Sequence, residues 1–387
     1  MKAGIAALIF AYVLSQFYRA FLAVLTGVLG RDIGATPDDL AAASGLWFLT
    51  FACMQIPVGW ALDVIGPRRT ASSLLLVGAV GAFVFAFATS VTEVKLAMVL
   101  IGIGCSPVLM ASYYIFAKEY SAAVFATLAG MVIGIGSLGN LASAAPTTWA
   151  VKAFGWRETL AGLGAITGLT AVALFFLIRD PKRPETRPQG SVLTLLKIPA
   201  LWFIFPLMFV NYAPSAGLRG LWVGPYFTDV YAATPALIGT ATLVMGLAMV
   251  LGNFAYGPSD RIFKTRKWVV FGGNALGGLA CLVFALNPDP GVVAAIALFA
   301  AIGFLGASFP VVIAHARSFF PEHLTGRGVT LMNLFGIGGV GLFQMATGRV
   351  YEAAPSGAPA YSALFWMFAV AVAIGVTIYA FSQDRMD

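Results

Sequence analysis

Charged residues are scarce in this sequence. Asp, Glu, Lys and Arg make up 10% of its 387 positions, hydrophobic residues make up 60%, and the mean hydropathy is +0.89. A soluble domain carries about 25% charged residues to cover its surface, so a soluble protein is not expected. The apolar runs are long and lack the alternation of barrel strands. They predict an all-α polytopic protein of a cell membrane, which we take to be a bacterial inner membrane.

Cysteine and histidine are nearly absent. Cys53, Cys105 and Cys281 all lie within apolar segments and share no metal-like spacing. The two histidines, His315 and His323, have no acidic partner within a span. Hydrolytic and metal-dependent sites need clusters of such side chains. The sequence therefore predicts no structural disulfide, no metal, no cofactor and no enzymatic activity.

Acidic residues are missing from the middle of every apolar segment. Asp63, Glu119, Asp229 and Asp260 all lie near segment ends. A proton-coupled carrier usually has a buried carboxylate as its proton site. The absence of one favours other transport mechanisms, namely exchange, facilitated diffusion or protons carried on a substrate. His315, near the end of an apolar segment, is the remaining candidate for titration.

The excess of basic residues, a formal net charge of +7, lies mostly in short loops. With the N-terminus inside the cell, sixteen Lys and Arg residues fall on the inner side and five on the outer side. This bias predicts that both termini are cytoplasmic. The basic residues are thereby explained by membrane orientation, and nucleic acid is not an expected partner.

Twelve segments are long enough to cross a bilayer, which takes about 20 apolar residues. In the N-terminal half they are 5–29, 41–63, 70–90, 94–117, 122–146 and 157–178. In the C-terminal half they are 200–228, 235–257, 268–286, 291–316, 325–348 and 359–381. A polar, proline-rich stretch separates the halves. The predicted organisation is an N-terminal six-helix bundle, a cytoplasmic linker and a C-terminal six-helix bundle, at 1–178, 179–199 and 200–387.

The two halves repeat each other at an offset near 198. The matching features are Thr36-Pro37 with Thr234-Pro235, Gly59 with Gly257, Asp63 with Asp260, Arg69 with Arg266, Pro107 with Pro310, and the glycine run 134–139 with 336–341. Six such matches in order indicate an internal duplication. Six spans return the chain to its starting side, so the two copies have parallel topology.

The loop after the second segment carries the most specific motif. It reads Gly59-Trp-Ala-Leu-Asp63-Val-Ile-Gly66-Pro-Arg68-Arg69 and resembles the signature loop of the major facilitator superfamily. Val64 stands where that family usually has a basic residue, and the second copy at 257–267 lacks the second glycine. The resemblance implies two pseudo-symmetric six-helix bundles and a secondary transporter working by alternating access. We expect a monomer whose partners are the lipid bilayer and a small-molecule solute.

This loop also predicts a cytoplasmic gate. Gly59 would let helices approach closely, Gly66 would permit a tight turn, and Asp63 could pair with Arg68 or Arg69 or face a helix N-terminus. The predicted gate residues are Gly59, Asp63, Gly66, Arg68, Arg69, Asp260 and Arg261. The alternative is a simple turn with orienting charges and no gating role.

Two arginines lie well inside spans, where ionisable residues are costly and usually functional. Arg19 lies in the first span and Arg219 in the seventh, its counterpart in the repeat. Facing one cavity, they would bind a carboxylate or phosphate. Tyr18-Arg19 also resembles a region of organic-anion and organophosphate transporters in the superfamily. Alternatively, Arg219 snorkels to the outer surface and Arg19 bonds to backbone carbonyls.

Other polar residues could complete such a site. Asn211 and Tyr212 lie where Pro206 and Pro214 should break the seventh span, and broken helices often line binding sites. The predicted substrate-binding residues are Arg19, Tyr18, Tyr113, Tyr114, Asn140, Asn211, Tyr212 and Arg219. Each alone is also typical of an interhelical contact.

An anionic solute is the first expectation, and two other readings stay open. Met245 and Met249 share one helix face, and thioethers bind Cu(I). The resemblance includes copper and riboflavin importers, so a metal such as copper or a neutral vitamin-like solute is an alternative. A membrane sensor or assembly factor that retains the fold is the non-transporting alternative.

Overall fold

The computed structural model describes residues 2–120, 122–181, 192–321 and 324–386. Within those ranges the chain is helical and contains no strand, which confirms the all-α prediction. It forms two compact units, Met1–Thr186 and Arg187–Asp387. Residues 182–191 of the predicted linker, and His323, lie outside the described residues. The bundle boundaries at 178 and 200 stay a prediction.

The first unit contains ten helical segments within its described residues. They are α1 Lys2–Phe17, α2 Leu22–Ile33, α3 Pro37–Cys53, α4 Gln55–Val64, α5 Pro67–Ala86, α6 Val91–Cys105, α7 Val108–Glu119, α8 Ala122–Ala142, α9 Ala145–Phe154 and α10 Trp156–Leu177. Several join end to end into one span, as α3 does with α4 and α6 does with α7.

The second unit also contains ten α-helical segments within its described residues. They are α11 Val192–Leu195, α12 Phe205–Asn211, α13 Ala213–Gly217, α14 Val223–Tyr231, α15 Pro235–Phe263, α16 Lys267–Leu286, α17 Val292–Leu305, α18 Phe309–Arg317, α19 Thr325–Ala353 and α20 Ala358–Tyr379.

Ten helices among the described residues are long and apolar enough to cross a membrane, and the bent pair α1–α2 makes an eleventh. The predicted fifth span corresponds to α8, of which Met131–Ala142 is a shorter apolar helix. The structure thus confirms a multi-pass helical membrane protein, with a span count close to the predicted twelve.

Polar caps at matching places explain where two of these helices begin. Thr36 accepts a hydrogen bond from the Asp39 N–H at 3.1 Å, and Asp39 accepts one from the Thr36 N–H at 3.2 Å, which is a capping box. Thr234 caps α15 with its side chain alone, by accepting from the Leu237 N–H at 3.4 Å. A proline follows each cap at the first helical position, where its missing N–H costs nothing.

The glycine repeat marks equivalent close approaches in the two units. A Cβ on Gly139 of α8 would overlap the carbonyl oxygen of Val13 on α1, and a Cβ on Gly339 of α19 would overlap that of Phe209 on α12. Gly139 therefore corresponds to Gly339, not to Gly341 as the sequence alignment predicts. The register is two residues different because the shared constraint is backbone contact, which only glycine allows.

The seventh span is interrupted, as its prolines predict. It runs through a 3₁₀ turn at Pro199–Phe203, α12, α13, a π-helical turn at Leu218–Trp222 and α14. The breaks allow side chains to leave the regular helical pattern in the middle of the membrane.

Candidate functional site

Arg19 lies at a break in the first span, where α1 and α2 meet at 50°. Its guanidinium carbon is 5.5 Å from the ring centroid of Trp47 and 5.0 Å from that of Phe51, both on α3, which is cation–π range. Its Nε is buried and has no hydrogen-bond partner among the described residues. No carboxylate of the described chain forms an ion pair with it. The cation therefore lies against aromatic faces.

The structure places further polar groups near this break that the sequence prediction missed. Trp47 is 1% exposed, and its Nε1–H has no acceptor among the described residues. Gln16 donates from Nε2 to the Tyr12 hydroxyl at 3.0 Å, while its buried Oε1 accepts no hydrogen bond from them. Positions 12, 16 and 19 have the spacing of one helix face. A search for polar residues at that spacing from Arg19 would have found them.

Tyr18 and its neighbour Arg19 contact different helices. The side chain of Tyr18 is 1% exposed, and its hydroxyl hydrogen-bonds with that of Thr167 on α10 at 2.9 Å. Its ring packs edge-on against Phe17 and Phe21. The geometry of Tyr18 is that of an interhelical contact, and the structure does not bring it together with the arginine.

Three other predicted residues of the first unit are only partly buried. Tyr113 and Tyr114 of α7 pack against the core cluster that includes Leu8, Ala11 and Val108. Asn140 of α8 is also partly buried, and its backbone carbonyl accepts a hydrogen bond from the Ser143 hydroxyl at 2.8 Å. These positions leave room for a role in binding without assigning one.

Arg219 lies inside the π-helical turn of the seventh span and is 3% exposed. Its guanidinium rests against α15, because a Cβ on Gly246 would lie 3.1 Å from both Nε and Nη2. At this burial the side chain does not reach the surface, so the snorkelling alternative is wrong. A π-helical turn often marks a functional position, and here it carries the arginine.

Asn211 is engaged at the break between α12 and α13. It donates from Nδ2 to Asn274 Oδ1 at 2.6 Å and to Ser308 Oγ at 2.8 Å. The network ties the seventh span to α16 and to the turn before α18. Tyr212 follows at the break and packs its ring against Phe309. Asn211 therefore has a structural use within the unit that its sequence position does not reveal.

Gln344 of α19 is a candidate that sequence analysis missed. It is 1% exposed, and both polar atoms of its amide lack a hydrogen-bond partner among the described residues. A Cβ on Gly217 would lie 2.7 Å from Gln344 Oε1, so this amide abuts the segment just before Arg219. An unpaired buried amide is costly, and no motif in the sequence singles it out.

The first copy of the predicted gate is organised around Asp180, which the sequence assigns to the linker. Asp180 Oδ1 accepts a hydrogen bond from the Arg68 N–H at 2.8 Å. Gly66 has φ +102°, and a Cβ there would lie 2.8 Å from the same oxygen, so the turn requires glycine. The Arg68 guanidinium carbon lies 4.3 Å from the Phe175 ring centroid. Asp180 thus caps the start of α5.

Two expected contacts of this copy are absent among the described residues. Asp63 is exposed and forms no ion pair with Arg68 or Arg69 there, and the Arg68 guanidinium lies over the Phe175 ring instead. A Cβ on Gly59 would meet no atom within 4 Å. The close approach expected at that glycine is absent, since its Cα faces open space.

The second copy does contain an ion pair. Arg266 Nε donates to Asp260 Oδ2 at 3.1 Å, and Arg266 Nη1 donates to the Ala314 carbonyl at 3.3 Å. Arg261, the other predicted gate residue of this copy, is exposed. The acid pairs across the turn rather than with its neighbour, because the turn brings the start of α16 back to the end of α15.

The C-terminal segment closes the same turn. Asp384 accepts hydrogen bonds from the Thr265 hydroxyl at 2.5 Å and from the N–H groups of Arg266 and Lys267 at 3.3 and 3.1 Å. Partial burial works against the ionised form, but these hydrogen bonds outweigh it and lower the pKa of Asp384. Asp384 caps α16 as Asp180 caps α5.

His315 is fully buried within the second unit. Its Nδ1 lies 2.6 Å from the Tyr379 hydroxyl and its Nε2 lies 2.8 Å from the Gln383 carbonyl oxygen. Both ring nitrogens are therefore used in tying α18 to α20 and to the C-terminal segment.

Met245 and Met249 fill a helix interface. A Cβ on Gly303 of α17 would lie 3.2 Å from Met245 Cγ and 3.1 Å from Met249 Cγ. No group of three or more His, Cys, Asp or Glu side chains in the described chain could hold a metal ion. The two thioethers have the packing of core residues.

Known proteins resemble this chain mainly over part of its length. The probable sulfoacetate transporter SauU of Cupriavidus necator is 25% identical over 173 residues, which are 44% of this chain and 40% of that protein. The probable nitrate/nitrite transporter NarK2 of Mycobacterium tuberculosis is 32% identical over 172 residues, 42% of this chain and 41% of that protein. Solute carrier family 22 member 13 of Homo sapiens is 29% identical over 163 residues, which are 40% of this chain and 28% of that protein. The matched part thus spans about two fifths of these relatives or less.

A solved structure covers the whole fold. The crystal structure of a bacterial homolog to the human lysosomal transporter Spinster, inward-facing and occupied, aligns with a TM-score of 0.74. It covers 98% of this chain and 96% of that chain at 17% identity, a likeness that shows the fold. The family model described as Major Facilitator Superfamily matches residues 8–221, more than half of the sequence. The chain belongs to the major facilitator superfamily.

Proposed function

We propose that this protein carries a small organic or inorganic anion across a bacterial inner membrane by alternating access, and that Arg19 binds the anion. The observation that carries the proposal is the state of the Arg19 cation. It lies inside a span, over the faces of Trp47 and Phe51, with no ion pair to a described carboxylate. A permanent charge in the membrane is costly unless something pairs with it, and a substrate anion is the natural partner.

The Nε1–H of Trp47 is the second element of the proposed site. It is buried without an acceptor among the described residues, next to the guanidinium. An anion placed against Arg19 would accept from both groups, and hydrogen bonds to charged partners are the stronger ones. Tyr113, Tyr114 and Asn140 remain proposed contributors.

In the second unit, Arg219 is the proposed anion-binding group. It is buried at a break in the counterpart of the first span. Tyr212 lies at the preceding break of the same span, and Gln344 of α19 approaches Gly217 between them. The names of two relatives support an anion, since sulfoacetate and nitrate are both negatively charged. A neutral vitamin-like solute, copper and a non-transporting role are the competing readings.

The test is uptake into proteoliposomes by the purified full-length protein. The probes are sulfoacetate, nitrate, a short monocarboxylate, riboflavin and Cu(I). Each is measured with wild type, Arg19→Gln, Arg19→Lys and Arg31→Gln, the last being an exposed arginine at the end of α2. We expect uptake of at least one anion, loss of that uptake in Arg19→Gln, partial retention in Arg19→Lys, and no effect of Arg31→Gln.

Two results would overturn the proposal. One is uptake of riboflavin or Cu(I) with no uptake of any anion. The other is anion uptake that Arg19→Gln leaves at the wild-type level. Protein that carries none of the probes, and whose deletion impairs assembly of another membrane complex, would favour the non-transporting reading.

A further inference from the structure

An open groove of about 410 Å³ runs between α5 and α10 on the outside of the first unit. Its walls include Leu76, Val172 and Phe175, which are 50%, 50% and 38% exposed. Exposed apolar side chains on membrane-spanning helices face lipid. The groove therefore opens towards acyl chains.

One end of the groove is polar and basic. Arg69, Ser72 and Ser73 line it there, at the first turns of α5. The Arg68 guanidinium lies over the Phe175 ring of the opposite wall, 4.3 Å from its centroid. Arg179 follows the end of α10 and is exposed. The guanidinium groups of Arg68 and Arg69 thus lie at this end. The carboxylate of Asp180 accepts a hydrogen bond from the Arg68 N–H.

The two serines present hydroxyl oxygens as acceptors. Ser72 donates to the Arg68 carbonyl at 2.7 Å and Ser73 donates to the Arg69 carbonyl at 2.6 Å. Because their protons are used, their oxygens can accept hydrogen bonds from a hydroxylated group. The arginines can bind a phosphate, the hydroxyl oxygens can accept from a hydroxylated headgroup, and the apolar wall can contact acyl chains. A phospholipid carries all three of these groups.

A second groove of similar size provides the contrast. It measures about 370 Å³ on the second unit, and its walls include Phe205, Phe209, Phe343 and Ile374. No charged residue stands among the described residues that line it. The two grooves have similar volumes and apolar walls. The basic end of the groove between α5 and α10 is what distinguishes it from the other.

We infer that the groove between α5 and α10 binds an anionic phospholipid, with its phosphate at Arg68 and Arg69 and an acyl chain along Leu76, Val172 and Phe175. The predicted orientation puts the basic end at the cytoplasmic leaflet, where anionic headgroups attract basic residues between helices. This site is separate from the proposed anion-binding site at Arg19.

The test is native mass spectrometry of the full-length, delipidated protein titrated with phosphatidylglycerol or phosphatidylcholine. Arg69→Gln removes one exposed charge, and Val172→Trp fills the groove from a lipid-facing position. The matched controls are Arg261→Gln, an exposed arginine of the second loop copy, and Ile374→Trp, which fills the uncharged groove. We expect wild type to bind the first phosphatidylglycerol about tenfold more tightly than phosphatidylcholine. Arg69→Gln should weaken phosphatidylglycerol binding about fivefold, as one basic residue near anionic lipid implies.

Val172→Trp should weaken phosphatidylglycerol binding at least as much, and both controls should leave it unchanged. Equal affinities of wild type for the two lipids would overturn the inference. An effect of Arg261→Gln as large as that of Arg69→Gln would also overturn it, because attraction would then be a property of the whole basic surface. Riboflavin, nitrate and sulfoacetate are absent from this assay, so its outcome is independent of the transport test.

Discussion

The guanidinium of Arg219 lies directly against Gly246, where a Cβ would be 3.1 Å from both Nε and Nη2. The two residues belong to different spans, so the glycine sets the position of the arginine. Gly246→Ala must push the guanidinium by a few tenths of an ångström. Because ionic recognition depends on placement at that scale, we expect affinity for the proposed anion to fall about fivefold. The measurement is the concentration dependence of uptake into proteoliposomes.

Gly257→Ala is the matched control for this prediction. Gly257 lies on the same helix, and a Cβ there would meet no atom within 4 Å. It should transport as wild type does. Equal transport by Gly246→Ala and Gly257→Ala would contradict a binding role for the position of Arg219.

Trp47→Phe tests the second donor of the proposed site. The substitution keeps an aromatic ring under Arg19 and removes only the buried Nε1–H that has no acceptor among the described residues. A hydrogen bond to a charged partner contributes about 1.5–3 kcal/mol, so the anion should bind about ten- to a hundredfold more weakly. Uptake at varied anion concentration measures this change.

Trp60→Phe serves as the control, since Trp60 is 61% exposed on the same span. It should leave uptake unchanged. If Trp47→Phe also transports with wild-type affinity, the indole N–H does not contact the anion, and Arg19 must act without it.

The fold was predictable because its main determinants are local. Apolar runs near the bilayer thickness predict spans. Thr36-Pro37 and Thr234-Pro235, which the repeat matches, lie at helix starts in the structure. The glycine repeat was visible, but its register was not. A sequence match alone cannot show which glycine contacts the backbone of another helix.

The site was less predictable because it depends on side-chain direction. Tyr18 and Arg19 are adjacent in sequence, yet one contacts Thr167 and the other lies over Trp47. Asp180 follows a helix end in a proline-rich stretch, and nothing local indicates that it caps α5. Such pairings join residues far apart in the chain and exist only once the helices pack.

Asp180→Ala tests the cap on α5. Removing the carboxylate that accepts from the Arg68 N–H leaves a helix N-terminus without its cap, which costs about 1 kcal/mol. The free energy of unfolding, measured by reversible unfolding in SDS, should fall by that amount. Asp63→Ala, which removes an exposed carboxylate without a described ion pair, should not change it. A loss in both variants alike would mean that net charge, not capping, matters.

Asp384 predicts a specific dependence of stability on pH. Its pKa is lower in the folded state than the ordinary 3.8, because its hydrogen bonds with Thr265, Lys267 and Arg266 outweigh partial burial. A lowered carboxyl pKa stabilises the fold above the ordinary value, and that stabilisation is lost as pH falls through the lower, folded value. The difference in stability between wild type and Asp384→Asn should be constant near neutral pH and shrink below about pH 3.8.

The control for this pH series is Asp38→Asn, at a partly exposed position in the first turn of α3. The difference in stability between wild type and Asp38→Asn should not change with pH in the way expected for Asp384→Asn. A difference for Asp384→Asn that persists unchanged to the lowest pH would contradict a role for the ionised carboxylate.

Arg266→Ala tests which partner Asp260 uses. Arg266 is 8% exposed, and its side chain donates both to Asp260 at 3.1 Å and to the Ala314 carbonyl at 3.3 Å. Its removal leaves a carboxylate that is largely shielded from water without its cation, which costs about 1–3 kcal/mol. Arg261→Ala removes an exposed arginine one residue from the same acid and should change stability by less than about 0.5 kcal/mol. Reversible unfolding of Arg266→Ala, Asp260→Ala and the double variant gives the coupling energy of the pair. Coupling near zero, or equal losses in Arg266→Ala and Arg261→Ala, would show that this ion pair does not stabilise the turn between α15 and α16.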